Sequence, residues 1–259
     1  MRTIIIGDVH GCLKELQELI QTLRPSEGDK VIFCGDLVDR GPDSAGVVRY
    51  VRGLGEATKA TIKLVRGNHE KKHLRQYTKW EQGKESKSPS AAYIKRIYNR
   101  MGDDDKHFLQ MSVPWYAIPN EGIIVVHAGF TPTMQDLPTW DDYFNNMPAK
   151  ARRKWDRVMH TRFVTPDGAM VQLGDEEDSD IYWAHIYDGR FGHVYFGHQV
   201  FMDGEPAKFP HATGLDLGCV YGGHLCAAVL RDGEVSYVKI KAHEEYYTSA
   251  FPMRKHIDI

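Results

Sequence analysis

Short hydrophobic runs alternate with polar loops and amphipathic segments along the first seventy residues. Each run is continuous and rich in β-branched residues, which is typical of a strand buried on both faces. The runs cover residues 3–6, 31–34 and 62–65. Leucine and isoleucine at three- and four-residue spacing predict a helix over 13–23, before Pro25. A second helix, capped by Asp43 or Ser44, is expected to extend to about Gly53.

The remainder of the chain is less regular. Residues 70–110 are helical and polar in pattern, with a surface loop over 82–90, whereas 131–180 shows little periodicity. Further strands are predicted over 123–126, 194–196, 225–230 and 235–240, the last two joined by an Asp-Gly turn.

The repeated order of strand, polar loop and helix predicts an α/β fold. We expect a single domain over residues 1–259, a length that suits one large domain with insertions. A helical insertion is expected at about 71–112, and an insertion resembling a lid at about 131–180.

Composition and charge exclude several classes of protein. A formal net charge of −2 gives no overall electrostatic attraction to nucleic acid or to an anionic membrane, so neither partner is expected. No apolar run is long enough to span a bilayer, and because the first strand is predicted at residues 3–6 we expect no secretory leader. The cysteines form no CxxC pair, so we expect reduced thiols and a cytoplasmic protein. They are Cys12, Cys34, Cys219 and Cys226.

Candidate chemistry is concentrated where predicted strands end. In open α/β sheets ligands collect at the carboxyl ends of the strands, so side chains there can converge on one site. The polar residues at these positions are Asp8, His10, Asp36, Asp39, Arg40, Asn68, His69, His127 and His198. Any one of them alone is weak evidence, because a single Asp-x-His is more often a turn with a surface histidine. Their joint occurrence after five strands favours a functional site.

The donor types suit two divalent metal ions, which accept carboxylate oxygen and imidazole nitrogen. Asp36 can bridge two ions because a carboxylate has two oxygens. Asp8 and His10 would complete the first site. The second would be completed by Asn68, His127 and His198. Two ions roughly 3.5–4 Å apart can activate water and polarise a phosphoryl group.

A proton donor for the leaving oxygen is expected beside the ions. His69 adjoins Asn68, and we expect Asp39 to orient its imidazole, as carboxylates commonly do for histidine acids. Arg40 presents a fixed fork of donors that matches phosphate oxygens.

Three motifs resemble the calcineurin-like metallophosphoesterases, and most closely their phosphoprotein-phosphatase branch. They are Gly-Asp-Val-His-Gly at 7–11, Gly-Asp-Leu-Val-Asp-Arg-Gly at 35–41 and Arg-Gly-Asn-His-Glu at 66–70. His-Ala-Gly at 127–129 and Gly-His at 197–198 resemble the later histidine motifs of that family. The resemblance extends from residue 3 to about residue 230. It implies a central β-sandwich flanked by helices in four layers.

The resemblance also implies roles for particular residues. It assigns Asp8, His10 and Asp36 to one metal, and it makes His69 the acid paired with Asp39. It assigns Asp36, Asn68, His127 and His198 to the other metal. Phosphate contacts are expected from Arg40, Asn68 and one arginine between the later histidines, either Arg162 or Arg190. Mn²⁺ is the favoured ion, with Fe and Zn²⁺ as alternatives that accept the same ligands.

Substrate class is less sharply indicated. His-Ala-Gly at 127–129, and Gly-Cys-Val-Tyr-Gly-Gly at 218–223, resemble the symmetrical diadenosine-tetraphosphate hydrolases and their bacterial relatives, whereas Gly-His-Gln-Val at 197–200 resembles the protein phosphatases. We therefore expect a dinucleoside-polyphosphate hydrolase, with a Ser/Thr or Tyr protein phosphatase as the alternative. A catalytically inactive phosphate-binding scaffold is a remote third, because no ligand or acid is missing. The basic residues within 71–110 are interpreted as a solvated helix face rather than a substrate surface.

Overall fold

Thirteen short strands and seven α-helices make up residues 1–248, the part of the chain that the computed structural model describes. The strands are β1 (Thr3–Ile6), β2 (Lys30–Phe33), β3 (Thr61–Leu64), β4 (Trp115–Ile118), β5 (Ile123–Val126), β6 (Phe163–Val164), β7 (Ile181–Tyr182), β8 (His193–Phe196), β9 (Ala207–Phe209), β10 (Ala212–Gly214), β11 (Asp216–Leu217), β12 (His224–Arg231) and β13 (Glu234–Lys241). The helices are α1 (Leu13–Leu23), α2 (Ser44–Thr58), α3 (Asn68–Glu81), α4 (Pro89–Tyr98), α5 (Asp103–Gln110), α6 (Ala149–Trp155) and α7 (Trp183–Ile186).

These strands form two mixed sheets. In the first, β1, β2 and β3 are parallel neighbours, and β12 pairs antiparallel with β1 on its other side. Both β11 and β13 pair with β12. The second sheet has the order β4-β5-β8-β10-β9, with β5, β8 and β10 parallel. A separate two-stranded ribbon joins β6 to β7.

The sheets pack face to face, and helices cover the first sheet on its outer side. Alternation along β1 demonstrates this: Ile5 belongs to the core shared with the second sheet, whereas Ile4 and Ile6 pack with α1 and α2. Tyr143 and Trp155, from the segment after β5, pack with the second sheet. The β-sandwich flanked by helices, which the family resemblance implies, is therefore confirmed.

Most predicted elements of the first seventy residues are present. Asp43 caps α2 by accepting a hydrogen bond from Gly46 N at 3.0 Å. That helix continues past the predicted end at Gly53, because Leu54 is buried against the core and offsets the low helix propensity of glycine. The predicted hairpin is β12–β13, with Asp232 and Gly233 at positive φ as an Asp-Gly turn requires.

Several strands of the second sheet were not predicted. Strands β9 and β10 have three residues each, which is too short for a periodic pattern, and the same holds for the two-residue β11 of the first sheet. The segment 71–112 holds most of α3 with α4 and α5, and α6 lies within 131–180. The interpretation of these segments as insertions stays a prediction. None of the helices in residues 1–248 combines the length and the apolar content needed to cross a bilayer.

Candidate metal centre

Five loops bring the sequence-predicted donors to one end of the sandwich. They follow β1, β2 and β3 in the first sheet and β5 and β8 in the second. Among residues 1–248, eight non-glycine residues have positive φ, and five of them lie in these loops. Those five are His10, Asp36, Asp39, Arg40 and His198. Such backbone conformations are costly for residues with a Cβ atom, and they cluster at functional sites.

The first group of donors surrounds His10. Its Nε2 lies 3.6 Å from Asp36 Oδ2 and 4.0 Å from Asp8 Oδ2. Its Nδ1 lies 2.9 Å from the Val38 carbonyl, which can only accept, so Nδ1 carries the proton and Nε2 keeps its lone pair. Burial, assisted by the positive charge of Arg40, lowers the pKa of His10 to about 3. The neutral ring therefore presents Nε2 as a ligand atom.

The second group surrounds His127 and His198. His127 Nδ1 lies 2.9 Å from the Cys34 carbonyl, while its Nε2 lies 3.4 Å from Asp36 Oδ2 and 2.9 Å from Asn68 Oδ1. Donor atoms of Asp36, His127 and His198 all lie within 4.8 Å of one another. Burial is the main cause that lowers the pKa of His198, so this ring is also neutral.

Asp36 is common to both groups. Its Oδ2 faces His10 on one side and His127 on the other, and its Oδ1 accepts a hydrogen bond from His69 N at 3.0 Å. Burial alone would raise the pKa of Asp36, but the neighbouring His127 and His69 outweigh it and hold that pKa well below the ordinary value. An ionised, buried carboxylate is thus placed between two imidazoles.

The residues fit a pair of cations. Asp8 Oδ1 and His198 Nε2 are buried side-chain atoms with no hydrogen-bond partner in the described structure. Unpaired buried polar atoms are costly, and two of them at one cluster of acceptors indicate that positive charge completes the site. Mixed oxygen and imidazole donors are the set that divalent transition metals accept.

His69 belongs to a hydrogen-bonded chain beside the metal ligands. Its Nδ1 lies 2.6 Å from Asp39 Oδ2, which is the predicted pairing. The other Asp39 oxygen, Oδ1, lies 2.6 Å from His73 Nε2, and His73 Nδ1 lies 3.0 Å from the Tyr77 hydroxyl. Sequence reasoning missed His73. Its position four residues after His69 on α3 was the available signal, since residues at that spacing share a helix face.

Glu70 was also missed as a contributor to the site. Its buried carboxylate accepts hydrogen bonds from Asp36 N at 2.7 Å, Leu37 N at 2.8 Å and Gly67 N at 2.9 Å. It therefore ties the loop after β2 to the loop after β3. Gly67 is required here because a Cβ atom at this position would collide with Asp36 Oδ1.

The candidate phosphate-binding arginines differ in their placement. Arg40 Nη1 lies 2.5 Å from His10 Nε2, so its guanidinium reaches the first group of ligands. Arg162 is half-buried and donates to the His198 carbonyl at 3.1 Å and to Gln199 Oε1 at 3.1 Å. Arg190 instead pairs with Asp188 at 2.7 Å and donates to carbonyls of the segment after β5. Of the two alternatives, Arg162 is the one that lies beside a candidate metal ligand, His198.

Comparison with known proteins gives a family and named relatives. The family model described as calcineurin-like phosphoesterase matches residues 1–202. The asymmetrical bis(5'-nucleosyl)-tetraphosphatase PrpE of Bacillus subtilis is 30% identical, over 95% of this chain and 97% of the relative. A symmetrical bis(5'-nucleosyl)-tetraphosphatase of Proteus mirabilis is 35% identical, over 87% of this chain and 93% of the relative.

Solved structures agree with the fold. A crystal structure named as that of a candidate diadenosine tetraphosphatase has a TM-score of 0.66 and 28% identity, covering 92% of this chain and 93% of that one. A protein serine/threonine phosphatase of Saccharomyces cerevisiae has a TM-score of 0.61 at 16% identity, covering 94% and 81%. The second likeness concerns the fold alone.

Proposed function

Since this chain belongs to the calcineurin-like phosphoesterases and is a hydrolase of phosphoester or phosphoanhydride bonds, we propose that its substrates are dinucleoside polyphosphates such as diadenosine tetraphosphate. The observation that carries the proposal is the convergence on Asp36 of donor side chains from loops that follow strands. It is made in a chain that aligns over 95% of its length with a tetraphosphatase. Phosphorylated proteins are the alternative substrate class.

Members of this family are dinuclear metal enzymes, and two of the side-chain clusters in residues 1–248 that could hold a metal ion share Asp36: one with His10 and His69, the other with His127 and His198. We propose that Asp8, His10 and Asp36 hold one ion. The other would be held by Asp36, Asn68, His127 and His198. Two bound divalent ions supply Lewis-acid activation of water and of the attacked phosphoryl group. We propose Mn²⁺ as the ion, with Fe or Zn²⁺ as alternatives.

The side chains around these ligands have two further roles, proton donation and phosphate binding. His69 would donate a proton from Nε2 to the departing phosphate oxygen as an imidazolium whose Nδ1–H is held by Asp39. The Asp39 carboxylate fixes the orientation of the ring and stabilises that charged form. Arg40, Asn68 and Arg162 bind phosphate oxygens, and the two guanidinium groups balance the charge of a polyphosphate chain.

The segments expected to be insertions border this site. Lys71, at the start of α3, pairs with Asp156 at 3.0 Å, and Asp156 follows α6. This ion pair connects the 71–112 segment to the 131–180 segment. We propose that the two segments enclose the polyphosphate, and that the whole chain acts as one cytoplasmic domain.

Product analysis with diadenosine tetraphosphate tests this function. Protein loaded with Mn²⁺ should consume the substrate and release either two ADP or one ATP and one AMP, and the product pair identifies symmetrical or asymmetrical cleavage. A parallel assay with phosphoserine, phosphothreonine and phosphotyrosine peptides tests the alternative. Rapid turnover of the peptides with the dinucleotide untouched would refute the proposal and favour a protein phosphatase.

A further inference from the structure

The end of the described chain lies against a loop of the metal centre. The backbone N–H groups of Tyr246 and Tyr247 both donate to the Val220 carbonyl at 3.0 Å, and Tyr221 forms a β-bridge with Glu245. The Tyr246 hydroxyl also donates to the buried Glu15 at 2.7 Å. Backbone pairing and a buried anchor therefore fix the position of Tyr247.

Three tyrosines from separate parts of the chain cluster near Arg40, and two of them contact it. The Tyr93 hydroxyl accepts a hydrogen bond from Arg40 N at 3.1 Å, and the Tyr221 ring centroid lies 5.6 Å from Arg40 Cζ. The Tyr247 ring meets Tyr221 edge to face, with centroids 6.0 Å apart. We call Tyr93, Tyr221 and Tyr247 the tyrosine rim.

The rim is close to the reacting centre and is only partly packed. Arg40 reaches His10 Nε2 at 2.5 Å, so it connects Tyr221 to the candidate metal ligands, and Tyr247 contacts Tyr221 in turn. Tyr247 remains 41% exposed, and Tyr93 and Tyr221 are half-buried. An aromatic ring held rigidly but left open to solvent beside a phosphate-binding arginine offers a stacking face to a ligand.

We propose that the tyrosine rim binds a nucleobase of the substrate, with Tyr247 supplying the stacking face and Arg40 binding the adjacent phosphate. This inference rests on the proposed function, because only a nucleotide substrate carries a base next to its phosphates. Stacking on an aromatic ring depends little on which base is bound, since every base has a π-face. The rim therefore favours nucleotides over phosphates that lack a base, without selecting one base.

Calorimetric titration of the metal-loaded protein tests the rim with two ligands that cannot be hydrolysed. One is α,β-methylene-ADP, and the other is methylenediphosphonate, which has the same bridged phosphates without nucleoside. Stacking of about 1–3 kcal/mol per base corresponds to roughly 5- to 150-fold tighter binding of the nucleotide. Tyr247→Ala should reduce this ratio at least fivefold, whereas Tyr247→Phe, which keeps the ring, should preserve most of it.

Equal affinity of the wild-type protein for both ligands would overturn the inference, and so would an unchanged ratio in Tyr247→Ala. Thermal melting of each variant checks that the fold is intact, and Tyr247→Phe provides a second comparison at the same position. Failure of the rim is distinguishable from failure of the proposed function. If the protein hydrolyses diadenosine tetraphosphate but binds both ligands with equal affinity, the proposed function stands and only the role of the tyrosine rim is refuted.

Discussion

His73 Nε2 lies 2.6 Å from Asp39 Oδ1, the carboxylate oxygen opposite the one that binds His69. Both oxygens of Asp39 are therefore held by imidazoles. Burial by itself would raise the pKa of Asp39, but the hydrogen bonds from His69 and His73 outweigh it and hold that pKa well below the ordinary value. A carboxylate that is hydrogen-bonded at both oxygens cannot rotate freely. His73 therefore fixes the orientation in which Asp39 accepts the hydrogen bond from His69.

Replacement of His73 by leucine should weaken proton donation by His69 while leaving the metal ligands in place. We expect kcat to fall about tenfold or more for phenyl phosphate, whose leaving group needs a proton. The loss should be much smaller for p-nitrophenyl phosphate, whose leaving group is a weak base. His73→Gln keeps an N–H donor and should restore part of the loss. An equal loss with both substrates would mean that His73 is only structural.

His69→Asn should retain both ions but lower turnover by roughly two to four orders of magnitude, the usual range for loss of a general acid. Metal content measured by elemental analysis and kcat measured with diadenosine tetraphosphate separate the two effects. Turnover close to that of the wild type would show that the proton comes from another group.

Asp36→Asn should lower the affinity for metal by about tenfold or more, because the bridging negative charge is removed from both groups of ligands. The measurement is the number of Mn²⁺ ions retained per chain after dialysis. Two retained ions would contradict the bridging role.

Glu70→Gln should destabilise the metal-free protein by about 2–4 kcal/mol. The substitution places an amide NH₂ against backbone N–H donors that the carboxylate now satisfies. Glu56→Gln, on the exposed side of α2, is the matched control and should change the free energy of unfolding by less than about 0.5 kcal/mol. Urea denaturation measures both values, and equal values would argue against the loop-tying role of Glu70.

Arg162→Met should lower kcat/KM by roughly ten- to a hundredfold, since a hydrogen bond to a charged group contributes about 1.5–3 kcal/mol. Arg190→Met should have little effect on kcat/KM, because Arg190 pairs with Asp188 away from the metal ligands. Initial rates with diadenosine tetraphosphate, accompanied by metal analysis, compare the two variants. A larger loss of kcat/KM in Arg190→Met than in Arg162→Met would mean that Arg190, and not Arg162, binds the phosphate.

Local patterns in the amino-acid sequence are sufficient to predict several parts of this protein. Strands β1, β2 and β5 consist mainly of consecutive buried apolar residues, so their positions follow from the local sequence pattern. The candidate ligands follow such strands directly, and the ends of parallel strands meet at the same edge of a sheet. For this reason the sequence was enough to predict that Asp8, Asp36 and His127 lie in one site.

Contacts between segments that are distant in the chain could not be predicted in this way, because they depend on how the chain folds. The second sheet includes two strands of three residues near its edge, β9 and β10, which have no periodic signal and exist because neighbouring strands pair with them. The placement of Arg162 beside His198, and of Tyr247 beside Tyr221, depends on loop packing. His73 is local in sequence, yet its function depends on Asp39, which is 34 residues earlier in the chain. The spacing of hydrophobic residues along the chain indicates which residues are buried. A hydrogen bond between residues that are distant in the chain depends instead on the folded geometry.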